Sequence, residues 1–341
     1  MKVVRVPEFG DSDVLEVADR ERPDPGPGEV RIAVEAAGVN FADVMQRRGH
    51  YHGGPEPTYV PGMEAAGTID AVGEGVEREV GERVVATTGR GGYADYAVAD
   101  ADSLFAVPES LSFEEAAGFP VQFLTAHSAL HEWGGLEEGE RVLVHAAAGG
   151  VGTAAVQLAS AAGAEVFGTA STDEKLELAE RLGCDHPINY EETDFREVVE
   201  EKTDGESEEP RSSNASGEGS DPRAGVDLVL DGVGGDTFSR SLDALSHFGR
   251  VVAYGAASGE PGRVETTRLL FENVSVVGFH LGQALARDPQ RVLTAVPELQ
   301  EMLAGGDLEV VVGETFPLED ADEAHAAIEN RETVGKVALR P

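Results

Sequence analysis

A glycine-rich turn between an apolar strand and an alanine-rich helix constrains the fold of this chain more than any other feature. The strand reads Arg-Val-Leu-Val-His at 141–145, and the turn reads Ala-Ala-Gly-Gly-Val-Gly at 147–152. Gly149 lets the backbone approach a pyrophosphate, Gly152 allows the helix to pack closely on the strand, and the helix N-terminus supplies amide donors. A glycine turn that holds no ligand is the alternative. The predicted cofactor contacts in this turn are Gly149, Gly150, Val151 and Gly152.

Strands and helices alternate after this turn. Apolar runs typical of buried strands occur at 165–168, 226–230 and 250–254. Helix-like segments lie between them at 173–182 and 236–245. Repetition of a largely apolar strand followed by a helix is the pattern of a doubly wound parallel sheet. We therefore predict an α/β fold with a Rossmann cofactor domain over residues 121–296.

The residues before this domain have a different texture, with short β-branched segments separated by Gly and Pro. Strand-like segments occur at 30–35, 67–72, 82–86 and 93–98. They predict a compact, mostly antiparallel β-rich domain. Ser112 and Glu115 form a predicted capping box that opens a helix over 114–130, so the boundary falls near residue 120.

The C-terminal residues are expected to return to the β-rich domain, which then comprises residues 1–120 and 297–341. Their predicted elements are a strand at 309–312, a helix at 319–331 and a strand at 335–339. A further strand is predicted at 274–281. Between 200 and 225 the chain has no large apolar residue, which predicts a disordered acidic surface loop. This loop is either a tolerated insertion or a regulatory segment.

The charge balance is strongly acidic. The chain has 26 Lys and Arg against 64 Asp and Glu, a formal net charge of −38. Nucleic acid and anionic membranes would be repelled by such a field. The surplus predicts either an acidic surface for a partner or a halophilic coat suited to a salt-rich cytoplasm, where screening removes the self-repulsion.

Cysteine and hydropathy indicate the compartment. Cys184 is the single cysteine, so no intrachain disulfide and no multi-cysteine zinc site can form. No run of about 18 apolar residues lacks a charge, and the N-terminus opens directly into a strand-like segment. We expect a soluble protein of the cytoplasm.

The residues after the second strand of the cofactor domain indicate which nucleotide is bound. An NAD site usually has an acidic residue there, hydrogen-bonded to the ribose 2′-hydroxyl. Here the segment 167–171 ends at Ser171 without an acid, and Lys175 follows one helical turn later. A 2′-phosphate would fit beside them, which predicts NADPH. Asp173 and Glu174 leave the ribose alternative open, as does a simply solvated Lys175.

Several motifs resemble the medium-chain dehydrogenase/reductase superfamily, specifically its quinone oxidoreductase branch. They are Ala-Gly-Val-Asn-Phe-Ala-Asp at 37–43, Pro-Gly-Met-Glu-Ala-Ala-Gly at 61–67, and the segment 145–152. The segments 120–126, 167–171 and 278–282 are similar to the synaptic vesicle amine-transport protein homologues of that branch. The resemblance implies a GroES-like β-rich catalytic domain and a Rossmann domain. It also implies a homodimer, in which the strand at 274–281 pairs with its copy.

The resemblance bears on zinc. Zinc alcohol dehydrogenases of the superfamily have a cysteine where this chain has Asn40, and a histidine where it has Met63. Glu64 and Asp43 remain, but two carboxylates without thiolate or imidazole do not build the site that zinc prefers. We therefore predict no metal, with capping and ion pairing as the roles of these two acids. Without a Lewis acid, reduction of a quinone or enone is favoured over alcohol oxidation.

Further site residues are implied by the resemblance. It places the nicotinamide in the cleft between the domains, near Asn40 and Thr125, and it matches Tyr51 to an active-site tyrosine, which has packing as its alternative role. Asn40, Tyr51 and Thr125 are thus the expected catalytic residues. Tyr190 and Arg331 are expected near the 2′-phosphate. Val233, Tyr254 and Gly255 are expected cofactor contacts because they follow apolar strands, at the carboxyl ends where parallel sheets bind ligands, with ordinary strand ends as the alternative. The remaining expected contacts are Phe279 and Leu281.

These expectations predict an NADPH-dependent reductase of quinones or other conjugated carbonyls. An enoyl-thioester reductase is the alternative within the same class, although no basic cluster for a thioester carrier is evident. A binding module that holds NADPH with little catalysis is the alternative from another class.

Overall fold

The computed structural model describes residues 1–204 and 224–341, so most of the predicted acidic loop lies outside the described residues. The strands of these two ranges are, in chain order, β1 Lys2–Arg5, β2 Glu16–Asp19, β3 Glu29–Val39, β4 Glu64–Val72, β5 Arg83–Thr87, β6 Tyr96–Asp100, β7 Leu104–Ala106, β8 Arg141–Val144, β9 Glu165–Ala170, β10 His186–Asn189, β11 Val226–Asp231, β12 Leu245–Ala253, β13 Ser275–Gly278, β14 Val312–Pro317 and β15 Lys336–Arg340.

Helices lie between many of these strands, and in the described ranges one helix separates each two successive strands from β8 to β13. They are α1 Phe41–Arg47, α2 Phe113–Ala117, α3 Pro120–His127, α4 Gly150–Ala161, α5 Asp173–Arg181, α6 Phe195–Thr203, α7 Gly235–Asp243, α8 Thr266–Glu272, α9 Leu281–Arg287, α10 Pro289–Leu293, α11 Val296–Gly305 and α12 Ala321–Glu329. None of the helices in the described ranges has the length and apolar character that a bilayer crossing requires.

The chain divides into two compact units. The first unit comprises Met1–Leu124 and Pro297–Pro341, and the second comprises Thr125–Val296. The first division, after Leu124, lies within α3 and four residues after the sequence-based boundary near 120.

The second unit contains a six-stranded parallel sheet in the order β10-β9-β8-β11-β12-β13. Taken from β8 onward, this is the order 3-2-1-4-5-6 of a doubly wound dinucleotide-binding sheet. Val142, Leu143 and Val144 of the central strand β8 are fully buried, as expected for a strand covered on both faces. The predicted Rossmann architecture is confirmed.

The first unit contains a mostly antiparallel sheet in the order β14-β15-β3-β4-β5-β7, with β6 also paired to β3. Strand β15 pairs antiparallel to β3, so the C-terminal residues join the N-terminal sheet. A smaller sheet pairs β1 with β2. In the long strand β3, residues 30–32 are buried, residues 32–36 alternate between buried and less buried, and residues 36–39 are all buried.

Three predicted elements differ from the structure. The helix expected over 114–130 is broken between α2 and α3, because Gly118 ends the first piece and Pro120 opens the second with no N–H to donate. The strand expected at 309–312 is wrong, since β14 begins at Val312, where pairing with β15 starts. The strand expected at 274–281 ends at Gly278, and α9 begins at Leu281.

Candidate functional site

The glycine turn has the geometry of an anion-binding helix start. Gly149 is the N-cap of α4, in extended conformation with φ −85° and ψ 177°, and the helix begins at Gly150. A Cβ atom at Gly152 would lie 2.0 Å from the carbonyl oxygen of Ala146, so only glycine fits there. The first amides of α4 have no partner within the helix and are available to phosphate oxygens.

The predicted cofactor residues of the second unit meet at one edge of the parallel sheet. Ser171 follows β9, Tyr190 follows β10, and Tyr254 and Gly255 follow β12. Val233 follows β11, which is the neighbour of β8 across the point where the strand order reverses. Ligands of such sheets bind outside the carboxyl ends of the strands at this reversal. The structure therefore brings these residues to the edge where the glycine turn lies.

The predicted 2′-phosphate residues lie around the start of α5. Thr172 is the N-cap of this helix, and its Oγ1 accepts a hydrogen bond of 3.4 Å from the amide of Lys175. Ser171 and Lys175 are half-buried, whereas Asp173 is exposed. The amide of Tyr190 donates to the carbonyl of Ala170 at 3.1 Å, which holds it beside the end of β9.

Three other predicted cofactor residues lie in or after later elements. Phe279 is buried after β13, where its ring lies 4.6 Å from that of Trp133. Leu281 is the first residue of α9. Arg331 belongs to the first unit, where it is exposed after α12 with φ 59°.

His145 is a buried residue of this sheet that the sequence reasoning did not assign. The hydroxyl of Ser241 donates to the carbonyl of Thr237 at 2.7 Å, so this oxygen accepts from Nε2 of His145 at 2.8 Å. Nδ1 then accepts from the hydroxyl of Thr169 at 3.0 Å. Burial lowers the pKa of His145 to about 3, with a smaller effect from Arg240, so the ring is neutral. The hydrogen bonds of His145 therefore link the end of β8 to β9 and α7.

Asp231 holds the loop after β11. One carboxylate oxygen accepts hydrogen bonds from the amides of Val233 at 2.7 Å and Gly234 at 3.0 Å. The other oxygen is buried and has no hydrogen-bond partner. Burial raises the pKa of Asp231, and the two amides oppose that rise. An apolar strand ending in an acid before two glycines was the signal that could have identified this residue.

In the first unit, Asn40 lies in a buried polar cluster. Its Oδ1 accepts hydrogen bonds from Nζ of Lys336 and from Nε2 of Gln122, both at 2.9 Å. Its Nδ2 donates to Oε1 of Glu64 at 3.0 Å. Lys336 and Glu64 form an ion pair of 2.5 Å, with exposed side-chain fractions of 2% and 0%. We call Asn40, Glu64, Gln122 and Lys336 the Asn40 cluster.

Asp43 lies beside this cluster in the first turn of α1. Its two oxygens accept hydrogen bonds from the amide of Asn40 at 2.9 Å and that of Gly62 at 3.2 Å. Burial raises the pKa of Asp43 to about 7, although these amides and the Lys336 ammonium oppose the rise. The expected capping role of Asp43 and the expected ion pairing of Glu64 are both present.

The other two predicted catalytic residues are placed differently. Tyr51 is half-buried in the loop after α1, and burial, followed by the charge of Asp43, raises its pKa. Thr125 is buried on α3 and is the first residue of the second unit.

Metal ligands are not clustered in the described ranges, where no group of three or more His, Cys, Asp and Glu side chains is arranged to hold an ion. Met63 precedes Glu64 in the chain. Oε1 of Glu64 is bound by the ammonium of Lys336. Sequence reasoning did not find Lys336, because a lysine near the C-terminus gives no local signal of its distant partners.

Known families match both parts of the chain. The model for the alcohol dehydrogenase GroES-like domain matches residues 26–109, and the model for a zinc-binding dehydrogenase matches residues 150–301. The GroES-like and Rossmann components predicted from sequence are thereby confirmed.

Relatives match nearly the whole length. The chain is 35% identical to the synaptic vesicle membrane protein VAT-1 homolog of Homo sapiens, over 98% of this chain and 84% of the relative. It is 38% identical to a 2-haloacrylate reductase of Burkholderia sp, over 93% of this chain and 92% of the relative. The structure of Escherichia coli quinone oxidoreductase complexed with NADPH is 32% identical, with a TM-score of 0.87 and full coverage of both chains. Together with the glycine turn and the sheet order, these matches show that the chain belongs to the medium-chain dehydrogenase/reductase superfamily of oxidoreductases, in its quinone oxidoreductase branch.

Proposed function

We propose that this protein uses NADPH to reduce a quinone or another conjugated carbonyl compound without zinc. The observation that carries the proposal is the carboxyl edge of the parallel sheet. There the glycine turn lies at the strand-order reversal, and Ser171 and Lys175 stand where an acidic residue would select NADH. When bound, the dihydronicotinamide supplies the hydride.

NADPH fits the residues at this edge. Gly149, the N-cap of α4, lets a pyrophosphate approach the backbone, and the first amides of α4 provide its hydrogen bonds. The hydroxyl of Ser171 and the ammonium of Lys175 suit a 2′-phosphate. The related Escherichia coli enzyme was solved with NADPH, which supports the choice. The proposed cofactor contacts are Asn40, Thr125, Gly149, Gly150, Val151, Gly152, Ser171, Lys175, Tyr190, Val233, Tyr254, Gly255, Phe279, Leu281 and Arg331.

Zinc independence is proposed from the Asn40 cluster. A metal beside Glu64 would need a free carboxylate oxygen, but Oε1 is bound by the Lys336 ammonium at 2.5 Å and Oε2 accepts a hydrogen bond from the amide of Val121 at 2.9 Å. A divalent ion there would meet a buried positive charge at a distance where repulsion is strong. Asn40 also offers no open oxygen, because its Oδ1 already accepts two hydrogen bonds. Metal analysis of the purified protein tests this, and stoichiometric zinc would contradict it.

A conjugated acceptor suits such a site because it delocalises the charge that arrives with hydride. Asn40 and Thr125 are proposed to contact the reactants, and Tyr51 is proposed to protonate the reduced acceptor. A tyrosine phenol is protonated at neutral pH, and burial raises the pKa of Tyr51 further, so the proton is present to be donated. We expect Tyr51→Phe to lower kcat by about 10²-fold with little change in NADPH affinity. An unchanged kcat would remove this role.

The decisive experiment is an acceptor screen at high KCl, with NADPH and NADH run in parallel. The panel contains quinones, 2-enals, 2-haloacrylate and enoyl thioesters. We expect acceptor-dependent oxidation of NADPH, with kcat/KM at least about tenfold above that for NADH. Equal use of the two nucleotides would contradict the NADPH assignment, and inactivity with quinones and enals would contradict the acceptor class.

A second candidate is reduction of an activated carbon–carbon double bond in a 2-enoic acid or its thioester. It is favoured by the 38% identity to a 2-haloacrylate reductase. In the same screen it predicts turnover of 2-haloacrylate or enoyl thioesters and none of quinones. Tight NADPH binding without oxidation by any acceptor would instead favour a binding module.

The assembly and environment are also proposals. Strand β13 is an edge strand, and the preceding helix α8 exposes Leu270 by 70% and Phe271 by 79%. We propose a homodimer formed at this edge and a salt-rich cytoplasm as the working environment. Light scattering at high KCl should give twice the chain mass of 35.8 kDa. A mass of one chain would contradict the dimer.

A further inference from the structure

Lys336 is a buried lysine that packs against Gly38. Its side chain is 2% exposed and lies between Glu64 and Asn40. A Cβ atom at Gly38 would lie 2.3 Å from the carbonyl oxygen of Ala117, 2.6 Å from Oε1 of Glu64 and 2.7 Å from Cε of Lys336, so the backbone and the ion pair both pack closely against this glycine. A buried pair loses the hydration of both ions and is weak evidence for a stabilising role. The hydrogen bonds of both ions to Asn40 therefore indicate a role for the pair other than stability.

The charges of this pair determine how the Asn40 carboxamide is turned. An ammonium only donates hydrogen bonds, so the Asn40 atom facing Lys336 is the oxygen. A carboxylate only accepts, so the atom facing Glu64 is the nitrogen. Gln122 then donates to the same oxygen, which fills both of its lone pairs. One N–H of Asn40 remains outside these hydrogen bonds.

We propose that Lys336 is a positioning residue that makes Asn40 a hydrogen-bond donor only, so that the group Asn40 recognises is a carbonyl oxygen. The inference rests on the proposed function and gives it a substrate feature. An N–H directed at a carbonyl oxygen stabilises the negative charge that develops there when hydride arrives at the conjugated system. If the carboxamide turned over, its oxygen would face that charge and oppose the reaction.

The test separates this role from simple stability by replacing both ions. In Lys336→Met/Glu64→Gln the burial and volume are kept without charge, and such replacements are often neutral or stabilising. The new glutamine can either accept from or donate to Asn40, so the carboxamide has no single forced orientation. We expect a melting temperature near that of wild type, a kcat with quinones lowered by about 10- to 100-fold, and a KM for NADPH within about twofold.

A matched control is available at the other end of the same strand pair. Arg31 on β3 and Asp70 on β4 form a 2.7 Å ion pair, with exposed side-chain fractions of 7% and 29%. Arg31→Met/Asp70→Asn should leave kcat unchanged. A wild-type kcat in Lys336→Met/Glu64→Gln would overturn the proposal, as would an equal loss of kcat in both double variants.

A measurement on the wild-type protein keeps the proposal testable if the double variant does not fold or if no acceptor is reduced. The side-chain amide of Asn40 is assigned by NMR from the signal missing in Asn40→Ser. One of its two N–H protons, bound to buried Glu64, should exchange with solvent far more slowly than the other. Equal exchange rates would overturn the proposed orientation. Absence of turnover in wild type would refute the proposed function alone.

Discussion

Asp43 carries a buried carboxyl group that titrates near neutral pH, and Asp43→Asn removes this titration from the unfolding equilibrium. The groups that face it are the amides of Asn40 and Gly62, the Tyr93 hydroxyl, and the charges of Lys336 and Glu64. Burial outweighs the stabilising amides and ammonium, so the pKa rises from 3.8 to about 7. The folded chain therefore holds this proton more tightly than the unfolded chain does.

The sign and size of the effect follow from this shift. Because the folded state binds the proton more tightly, folding is favoured at low pH, and stability falls as pH rises from about 4 to about 7. The full shift corresponds to about 4 kcal/mol, at 1.36 kcal/mol per unit. About 2 kcal/mol of this falls between about pH 5.5 and pH 8.5, a range that stays above the sequence pI of about 4.4.

The assay is denaturant unfolding of wild type and Asp43→Asn across that pH range at constant high KCl. The lost acceptor oxygen gives the variant an offset that does not depend on pH. We expect the free energy of unfolding of the variant, minus that of wild type, to rise by about 2 kcal/mol from the lower pH to the higher. A difference that stays flat would refute the reasoning about Asp43.

Asp194 supplies a control of opposite sign. Hydrogen bonds from Arg196 and Arg240 hold the pKa of Asp194 below its ordinary value, so its contribution to stability is lost only as pH falls through the acid range. Asp194→Asn should therefore give a flat difference between about pH 5.5 and pH 8.5. A slope like that of Asp43→Asn would mean that the slope does not report a single carboxyl group.

Three further predictions concern the cofactor edge and the surface charge. Lys175→Ala should raise the KM for NADPH by about tenfold or more and leave that for NADH unchanged, and an unaltered KM for NADPH would remove the 2′-phosphate assignment. Gly152→Ala should abolish NADPH binding in a fluorescence titration, because the new Cβ would lie 2.0 Å from the Ala146 carbonyl oxygen. The control Gly278→Ala should bind NADPH normally, because a Cβ there would have no atom within 4 Å. The unfolding midpoint should rise with added KCl, because screening weakens the self-repulsion of 38 excess negative charges, and a constant midpoint would contradict the salt-rich environment.

Local sequence patterns were sufficient to predict the fold of the cofactor unit, because its strands, turns and helices follow one another closely along the chain. A strand, a glycine turn and a helix occupy about 20 successive residues, and each strand of the parallel sheet is followed closely by a helix. The carboxyl ends of parallel strands then meet at one edge, which is why Ser171, Val233 and Tyr254 could be grouped from sequence. The role of His145 was missed because its hydrogen bonds reach Thr169 and Ser241, which are distant along the chain. Asp231 was missed although its hydrogen bonds are local, to the amides of Val233 and Gly234.

Two elements predicted outside the cofactor sheet had wrong boundaries. The strand expected at 309–312 was misplaced because β14 is defined by pairing with β15, from Val312 to Pro317, and not by its own apolar residues. The helix expected over 114–130 is not continuous, because Gly118 ends α2 and Pro120 opens α3, and the Ala-rich composition did not indicate this break. Strand pairing set the first boundary, and residues that interrupt a helix set the second.

The sequence by itself determined the doubly wound cofactor unit, the glycine turn for a dinucleotide, and the lack of cysteine and histidine ligands at Asn40 and Met63. Only the tertiary structure decided what surrounds Asn40, since Lys336 lies 296 residues away along the chain and Glu64 lies 24 residues away. The antiparallel pairing of β15 with β3, and of β3 with β4, brings these groups together. Sheet pairing over such separations depends on the burial of the whole unit, and a buried ion pair forms only where that packing excludes water.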